Sequence, residues 1–309
     1  MYSLAGKRVF VAGHKGMVGS ALVRRLLGED CILLTADRSM LDCIDQAAVR
    51  AWMVEHRPQA VFIAAARVGG ILANQERPAD FLYENLMIEA NLIRAAHDSD
   101  VEKLLLLGSS CIYPRLASSP ISEEALLSGP LEPTNEAYAI AKIAGIKLAD
   151  AFRSQYGEDF IAAMPANLYG PGDTYDLESA HVAAALIRKA HEAKTSGQPL
   201  VVWGTGTPLR EFLFVDDLAD ACVFLMNRYS GAGPVNVGSG EEISILALTD
   251  LICEIVGYSG PIEHDLAKPD GTPRKLMDGS KLANMGWTAP TPLRDGLTAS
   301  YRWFLDHCA

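Results

Sequence analysis

Short apolar runs alternate with amphipathic stretches through the first half of the chain. Arg8–Ala12, Cys31–Thr35, Ala60–Ala65 and Lys103–Leu107 are rich in β-branched residues or leucine, with little polar interruption. Such runs predict short strands buried on both faces. Between them, apolar residues recur at helical spacing. Val18, Leu22 and Leu26 mark a helix over Met17–Leu27, and a second is predicted over Gln46–His56. A long helix over Phe81–His97 gathers Leu82, Leu86, Ile93 and Ala96 on one face, and another runs over Tyr138–Tyr156. Strand and helix in alternation predict a parallel sheet with right-handed crossovers, that is, a doubly wound α/β fold.

The second half reads differently. Proline and glycine cluster in Tyr169-Gly170-Pro171-Gly172, in Gly204-Thr205-Gly206-Thr207-Pro208 and in Pro269-Asp270-Gly271-Thr272-Pro273. We expect a dinucleotide-binding domain over residues 1–168 and a smaller, loop-rich substrate-binding domain over 169–309. Two pieces, Phe212–Asn227 and Val235–Gly257, look like strand-plus-helix units that return to the main sheet. A length of 309 residues suits about two domains.

Composition narrows the function. Hydrophobic residues make up 49% of the chain, enough for a sizeable core. Lys and Arg total 27 against 38 Asp and Glu, for a net charge of -11. That balance argues against a duplex-binding surface, which needs clustered cations. It leaves room for a small anionic ligand in a local basic pocket. Charges interrupt every apolar stretch well before membrane-spanning length. The apolar start runs into a glycine loop rather than a cleavage site, so the expected location is the cytoplasm. Six scattered cysteines form no C-x-x-C pair, and no two histidines stand at helical i, i+4 spacing. Neither a disulfide framework nor a metal site is expected.

The segment Val9 to Gly19 reads as a strand, a Gly13-x-x-Gly16-x-x-Gly19 turn and a helix start. Glycines there let backbone N–H groups approach a pyrophosphate at a helix N-terminus, as in Rossmann-type folds. Asp37, at the end of the second strand, suits the ribose hydroxyls of NAD. Arg38 follows at once and Lys15 lies in the loop, and two cations near that ribose favour the 2′-phosphate of NADP. Further along, strand Lys103–Leu107 runs into Gly108-Ser109-Ser110-Cys111, placing Ser109 where open α/β sheets bind ligands. Tyr138 and Lys142 stand at i, i+4 on one helix face. An ammonium beside a phenol is expected to lower its pKa. A phenol so placed can protonate a carbonyl oxygen as hydride arrives, with Ser109 on the same oxygen.

With these motifs in view, the chain resembles the extended short-chain dehydrogenase/reductase family, and within it the enzymes that epimerise and reduce GDP-4-keto-deoxysugars. The matching segments are Gly13 to Gly19, Gly108 to Pro114, Leu131 to Glu136, Tyr138 to Lys142, Trp203 to Phe212 and Lys268 to Lys275. The resemblance implies NADP(H) as cofactor, a GDP-sugar as substrate, no metal, no nucleic acid, no membrane, and a homodimer paired through the two long helices. It assigns Ser109, Tyr138 and Lys142 to reduction, and Cys111 and His181 to proton transfer in epimerisation. Position alone leaves Cys111 a small buried hydrophobe and His181 a helix-start histidine. By the same analogy Cys111 is the base and His181 the acid. The implied cofactor set is Gly13, His14, Lys15, Gly16, Met17, Val18, Gly19, Arg38, Ser39, Met40, Leu41, Asp42, Cys43, Leu107, Gly108, Ser109, Ser110, Tyr138, Lys142, Pro165, Ala166, Asn167, Leu168 and His181. Lys189, Trp203, Arg210 and Asp270 match positions that hold the nucleotide sugar, and Arg274 and Lys275 add local positive charge. Arg210 could instead pair with its neighbour Glu211.

The chain departs from the family pattern in three places: Lys15 and Lys189, where relatives can carry arginine, and the acid Asp37 beside the 2′-phosphate position. A lysine keeps the charge but loses the bidentate fork. The chemistry the resemblance implies is coherent. A C4 ketone acidifies the hydrogens at C3 and C5, and the enolate charge falls on the same oxygen that becomes an alkoxide on reduction. One oxyanion site therefore serves both steps. Inversion needs two proton carriers flanking the ring, and a thiol and an imidazole both tune toward neutrality. The rival readings are a sister enzyme on another 4-keto-deoxysugar and a 4-epimerase that retains its NAD.

Overall fold

The computed structural model describes residues 1–177, 180–268 and 270–309. The first half runs β1 (Arg8–Ala12), α1 (Met17–Leu26), β2 (Ile32–Ala36), α2 (Gln46–His56), β3 (Ala60–Ile63), α3 (Ile71–Glu76), α4 (Pro78–Asp98), β4 (Lys103–Leu107), α5 (Glu136–Tyr156) and β5 (Phe160–Pro165). The rest runs β6 (Asn167–Tyr169), α6 (Val182–Ser196), β7 (Leu200–Trp203), β8 (Leu209–Phe214), α7 (Val215–Arg228), β9 (Pro234–Val237), β10 (Glu242–Ser244), α8 (Ile245–Val256), β11 (Ile262–Asp265), β12 (Arg274–Lys275), α9 (Ser280–Asn284) and α10 (Leu293–His307).

Local chemistry sets the boundaries. The Asp45 carboxylate caps α2 by accepting from the N–H groups of Ala47 and Ala48. Helix α4 begins at Pro78 rather than at the predicted Phe81, because a proline at the first position gives up only an N–H that had no helical partner. Gly157, with a left-handed backbone, stops α5.

Among the described residues, six strands form a parallel sheet in the order β2-β1-β3-β4-β5-β9. Its register sets Val11 beside Thr35 and Leu105 beside Ile161. Helices α2, α4 and α5 pack on one another, and α1 packs on α7, which gives the doubly wound arrangement. β3, β4 and β5 are buried at every position. Because the sheet is parallel, the carboxyl ends of β1, β4 and β5 lie along the same edge, with β3 between β1 and β4, and the loops that follow them carry the candidate site.

The two strand-plus-helix units of the second half divide differently from expectation. Only α7 and β9 join the main sheet. β8 pairs instead with β6, β10 and β12 in a second sheet, and α8 packs on α6 and α10. The reason is visible in the residues. β9 (Pro-Val-Asn-Val) is buried throughout and closes the main sheet as its last strand beside β5, whereas β8 begins Leu-Arg-Glu and keeps a half-open face. A second apolar cluster, including Tyr169, Ile187, Phe212, Leu248 and Phe304, sits beneath this smaller sheet.

Candidate active site

At the end of β1 the chain doubles back tightly. Gly13 has φ +87°, and a Cβ there would fall 2.6 Å from the Ala65 nitrogen. At Gly19 a Cβ would fall 2.0 Å from the Gly13 oxygen, so α1 can lie against its own loop only without a side chain. The first turn of α1 has no side-chain cap and no acidic residue, which leaves its N–H groups free for an anion. The His14 Nδ1, buried nearby in the loop, has no hydrogen-bond partner among the described residues. These features fit a dinucleotide pyrophosphate.

Beyond β2 the acid that looked out of place has a different task. Asp37 accepts hydrogen bonds from the Ser39 hydroxyl (2.6 Å) and the Met40 N–H (3.2 Å), and pairs with the Lys15 ammonium at 3.0 Å. The Ser39 bond, then Lys15, holds its carboxyl well below the usual range. Asp37 thus shapes the Arg38–Cys43 turn and tethers Lys15. Arg38 is 74% exposed, and its nearest acid, Asp42, stands 3.8 Å away. Met40 is exposed, Leu41 is buried in the core, and Cys43 is half-buried.

The catalytic candidates converge after β4. Ser109 caps a short turn, its hydroxyl accepting from the Cys111 N–H at 3.5 Å. The Tyr138 phenol faces Ser109. Lys142 lies 5.8 Å from the Tyr138 ring centroid, donates to the Leu107 carbonyl at 3.0 Å, and stands 2.7 Å from Glu89 on α4. One expectation is overturned here. The phenol is raised well above its ordinary value, by burial first and then by Cys111 and Glu89, with Ser109 opposing. Burial outweighs the lysine, whose charge faces Glu89, an acid itself pushed up by burial with Lys142 opposing.

Cys111 is buried, 6% exposed, and burial pushes its thiol up. Lys275 opposes that rise most, followed by the Ser109 bond and Lys142. Lys275 comes from β12, where it registers with Arg210 of β8. His181 stands at the N-terminus of α6. The residue is exposed, and desolvation lowers its pKa. No hydrogen bond, ion pair or ring contact among the described residues joins it to Cys111 or Tyr138.

The remaining candidates frame the second half of the cleft. Pro165 ends β5, the Ala166 N–H donates to Val237, and the Asn167 amide donates to the Glu211 carbonyl at 2.8 Å. Lys189 donates to the Val201 carbonyl at 3.1 Å and lies 4.8 Å from the Trp203 ring centroid, with Lys268 at 5.0 Å. Trp203 is 48% exposed, with both ammonium groups over its ring. Asp270 accepts from the Thr205 N–H and hydroxyl at 2.7 and 2.9 Å. Arg210 is not paired with Glu211, which is buried and receives N–H groups from Gly240 and Met277. Burial lowers the Arg210 pKa, with Asp270 opposing. Pro269 of the Lys268–Lys275 segment lies outside the described residues. Glu89 escaped the sequence reading, although an acid on the apolar face of a long helix was the available signal. Among the described residues no group of His, Cys, Asp and Glu could hold a metal, and no helix is long and apolar enough to cross a membrane.

A glycine loop on β1 and a Ser–Tyr–Lys cluster after β4 define a dinucleotide-dependent enzyme, and the chain belongs to the NAD dependent epimerase/dehydratase family, which it matches over residues 9–238. It is 57% identical to the GDP-L-fucose synthase of Sinorhizobium fredii over 310 residues, covering 100% of this chain and 99% of that one. The GDP-L-colitose synthase of Yersinia pseudotuberculosis is 35% identical over 302 residues, 97% of this chain and 98% of the relative. A GDP-L-fucose synthetase of Naegleria fowleri, solved bound to NADP, is 27% identical and superposes with a TM-score of 0.91 over 99% of this chain and 96% of that one.

Proposed function

We propose that this protein is a bifunctional 3,5-epimerase and 4-reductase that uses NADPH to convert GDP-4-keto-6-deoxy-D-mannose to GDP-L-fucose. The observation that carries the reading is the convergence of Tyr138, Ser109, Cys111 and Lys142 beyond the end of β4, beside the glycine loop of β1. Ser109 and Tyr138 hold the C4 oxygen. Cys111 takes a proton from the carbon next to the ketone, and the enolate charge collects on the oxygen those two residues bind. His181 returns a proton from the opposite face. After both centres are inverted, Tyr138 protonates the C4 oxygen. Bound NADPH supplies the hydride for that carbon. Its pyrophosphate would lie on residues 13–19, its 2′-phosphate against Arg38 and Ser39, and its nicotinamide against Leu107–Ser110 and Pro165–Leu168. Lys189, Trp203, Arg210 and Asp270 hold the GDP portion.

The division at about residue 168, a cytoplasmic location and a homodimer paired through α4 and α5 belong to the same proposal. Product analysis with GDP-4-keto-6-deoxy-D-mannose and NADPH in deuterated water tests it. The expected result is stoichiometric loss of NADPH, deuterium at C3 and C5, and GDP-L-fucose. Turnover without loss of NADPH would make it a cofactor-retaining 4-epimerase. Turnover confined to a substrate lacking the C3 hydroxyl would place it with the GDP-L-colitose synthases.

A further inference from the structure

The contact between α4 and α5 holds a feature that packing does not explain. Glu89 is 1% exposed and faces Lys142, itself 2% exposed, at 2.7 Å. Neither carboxylate oxygen has a well-directed hydrogen bond among the described residues, so the lysine charge is the partner of this acid. Opposite it stands Gly145, where a Cβ would fall 1.9 Å from Glu89 Oε2 and 2.7 Å from Cδ. The helix surface is cut away at that one residue to admit a carboxylate. A buried ion pair is often no more stabilising than an apolar pair of the same volume, and buried acceptors left without donors cost stability. A well-packed leucine would serve the fold at least as well.

Lys142 is fixed from two sides, by Glu89 on α4 and by the Leu107 carbonyl at the end of β4. Its third side is the Tyr138 ring. We propose that Glu89 is a positioning residue for the reduction, holding the Lys142 ammonium and cancelling its charge so that Tyr138 stays a protonated donor through epimerisation and reduction alike. The inference rests on the role given to Tyr138 above. An unmatched ammonium at this depth would favour the phenolate, and a phenolate can neither hold an enolate oxygen nor protonate an alkoxide. The other groups facing the phenol are Ser109 and Cys111 from the turn after β4, with Lys275 of β12 reaching Cys111. The edge of Phe81 from α4 completes the surround. Among these groups no second carboxylate offsets the lysine once Glu89 is neutral.

The test compares Glu89→Gln, Glu89→Asp and Tyr138→Phe in the full-length enzyme. Two readouts are taken against pH: kcat for NADPH oxidation with GDP-4-keto-6-deoxy-D-mannose, and the ultraviolet phenolate band, as a difference from Tyr138→Phe. Glu89→Gln should bring the phenolate band and the alkaline fall in kcat down by about one pH unit, with KM little changed. Glu89→Asp should recover most of that shift. A band and limb left in place, with activity lost only in proportion to stability, would overturn the proposal. If Glu89→Gln does not fold, Glu89→Asp decides alone: its retracted carboxylate should move the limb the same way by a smaller step, and no movement overturns the idea. Tyr138→Phe keeps the two failures apart. Full reduction by that variant sinks the role of Tyr138 itself, whereas loss of reduction with an unmoved Glu89 limb sinks only the role of Glu89.

Discussion

Replacing Lys275 by methionine isolates the electrostatics of epimerisation. Burial holds the Cys111 thiol above its ordinary pKa, and the ammonium of Lys275 is the largest influence pulling it back, ahead of Ser109 and Lys142. A nearby opposite charge is worth about one to three pK units at a buried group. Ser109 and Lys142 remain in the variant, so we take the low end, about one unit or about 1.4 kcal/mol. The sign follows directly: losing the cation raises the thiol pKa, so less thiolate is present at any pH below it. The acid limb of deuterium exchange at C3 and C5 should move up by about one pH unit. At a fixed pH on that limb exchange should slow about ten-fold. Lys275→Arg keeps the charge and should keep the limb close to its native position. The assay is solvent deuterium uptake by GDP-4-keto-6-deoxy-D-mannose across pH, with the nicotinamide cofactor withheld from turnover. A weaker hold on the nucleotide would appear in KM and leave the limb alone. An acid limb of Lys275→Met superimposable on that of the native enzyme would refute the coupling of Lys275 to Cys111.

Three further outcomes follow from the described geometry. Arg38→Ala should weaken NADPH binding about ten-fold, the worth of a charge-assisted contact, and leave NADH unchanged, since Arg38 is exposed and loosely paired. Fluorescence titration of both cofactors checks this, and parallel losses would exclude a 2′-phosphate contact. Gly19→Ala sets a methyl 2.0 Å from a backbone oxygen that cannot give way. It should abolish tight NADPH binding and cost about 1 to 3 kcal/mol in stability, and an unchanged Kd would contradict the close approach. Asp173 is buried, with Oδ2 unpartnered among the described residues, and burial pushes its carboxyl up to about 7. A folded pKa raised above the unfolded value means that stability falls as pH rises between the two, by roughly 4 kcal/mol at most. Asp173→Asn should therefore raise Tm at alkaline pH and have little effect near pH 4, and a gain independent of pH would count against it.

The main sheet was legible because its strands are buried on both faces and announce themselves without partners. Arg8–Ala12 and Lys103–Leu107 fold over the residues their apolar runs mark out. β5 went unread, although it is buried at all six positions, because two alanines and a closing proline give it weak strand character. The second sheet could not be read locally. β10 and β12 are three and two residues long, and each exists as a strand only because it pairs with β8. Arg210 and Lys275 are 65 positions apart in sequence and face each other through that pairing, a relation that no local periodicity contains.

The site divides along the same line. Tyr138 and Lys142 are read from one helix turn, and the glycine loop from one strand–helix junction, because in each case the geometry is local. What sets their chemistry arrives from elsewhere in the chain: Glu89 from the neighbouring helix, Lys275 from the second sheet, Lys15 on Asp37 across the loop. Each of these partners carries the opposite charge to the group it attends. The acidic chain therefore handles anions with individually placed cations, Lys142 matched by a carboxylate and Lys275 left facing a thiol. That difference decides the roles. A lysine whose charge is cancelled leaves the phenol protonated and able to donate. Lys275, on which Cys111 acts more strongly than Glu132 does, draws the thiol toward thiolate, which suits the base role proposed for it. On the proposed roles, the two ammonium groups separate acid from base: Lys142 beside the donor Tyr138, and Lys275 beside the base Cys111.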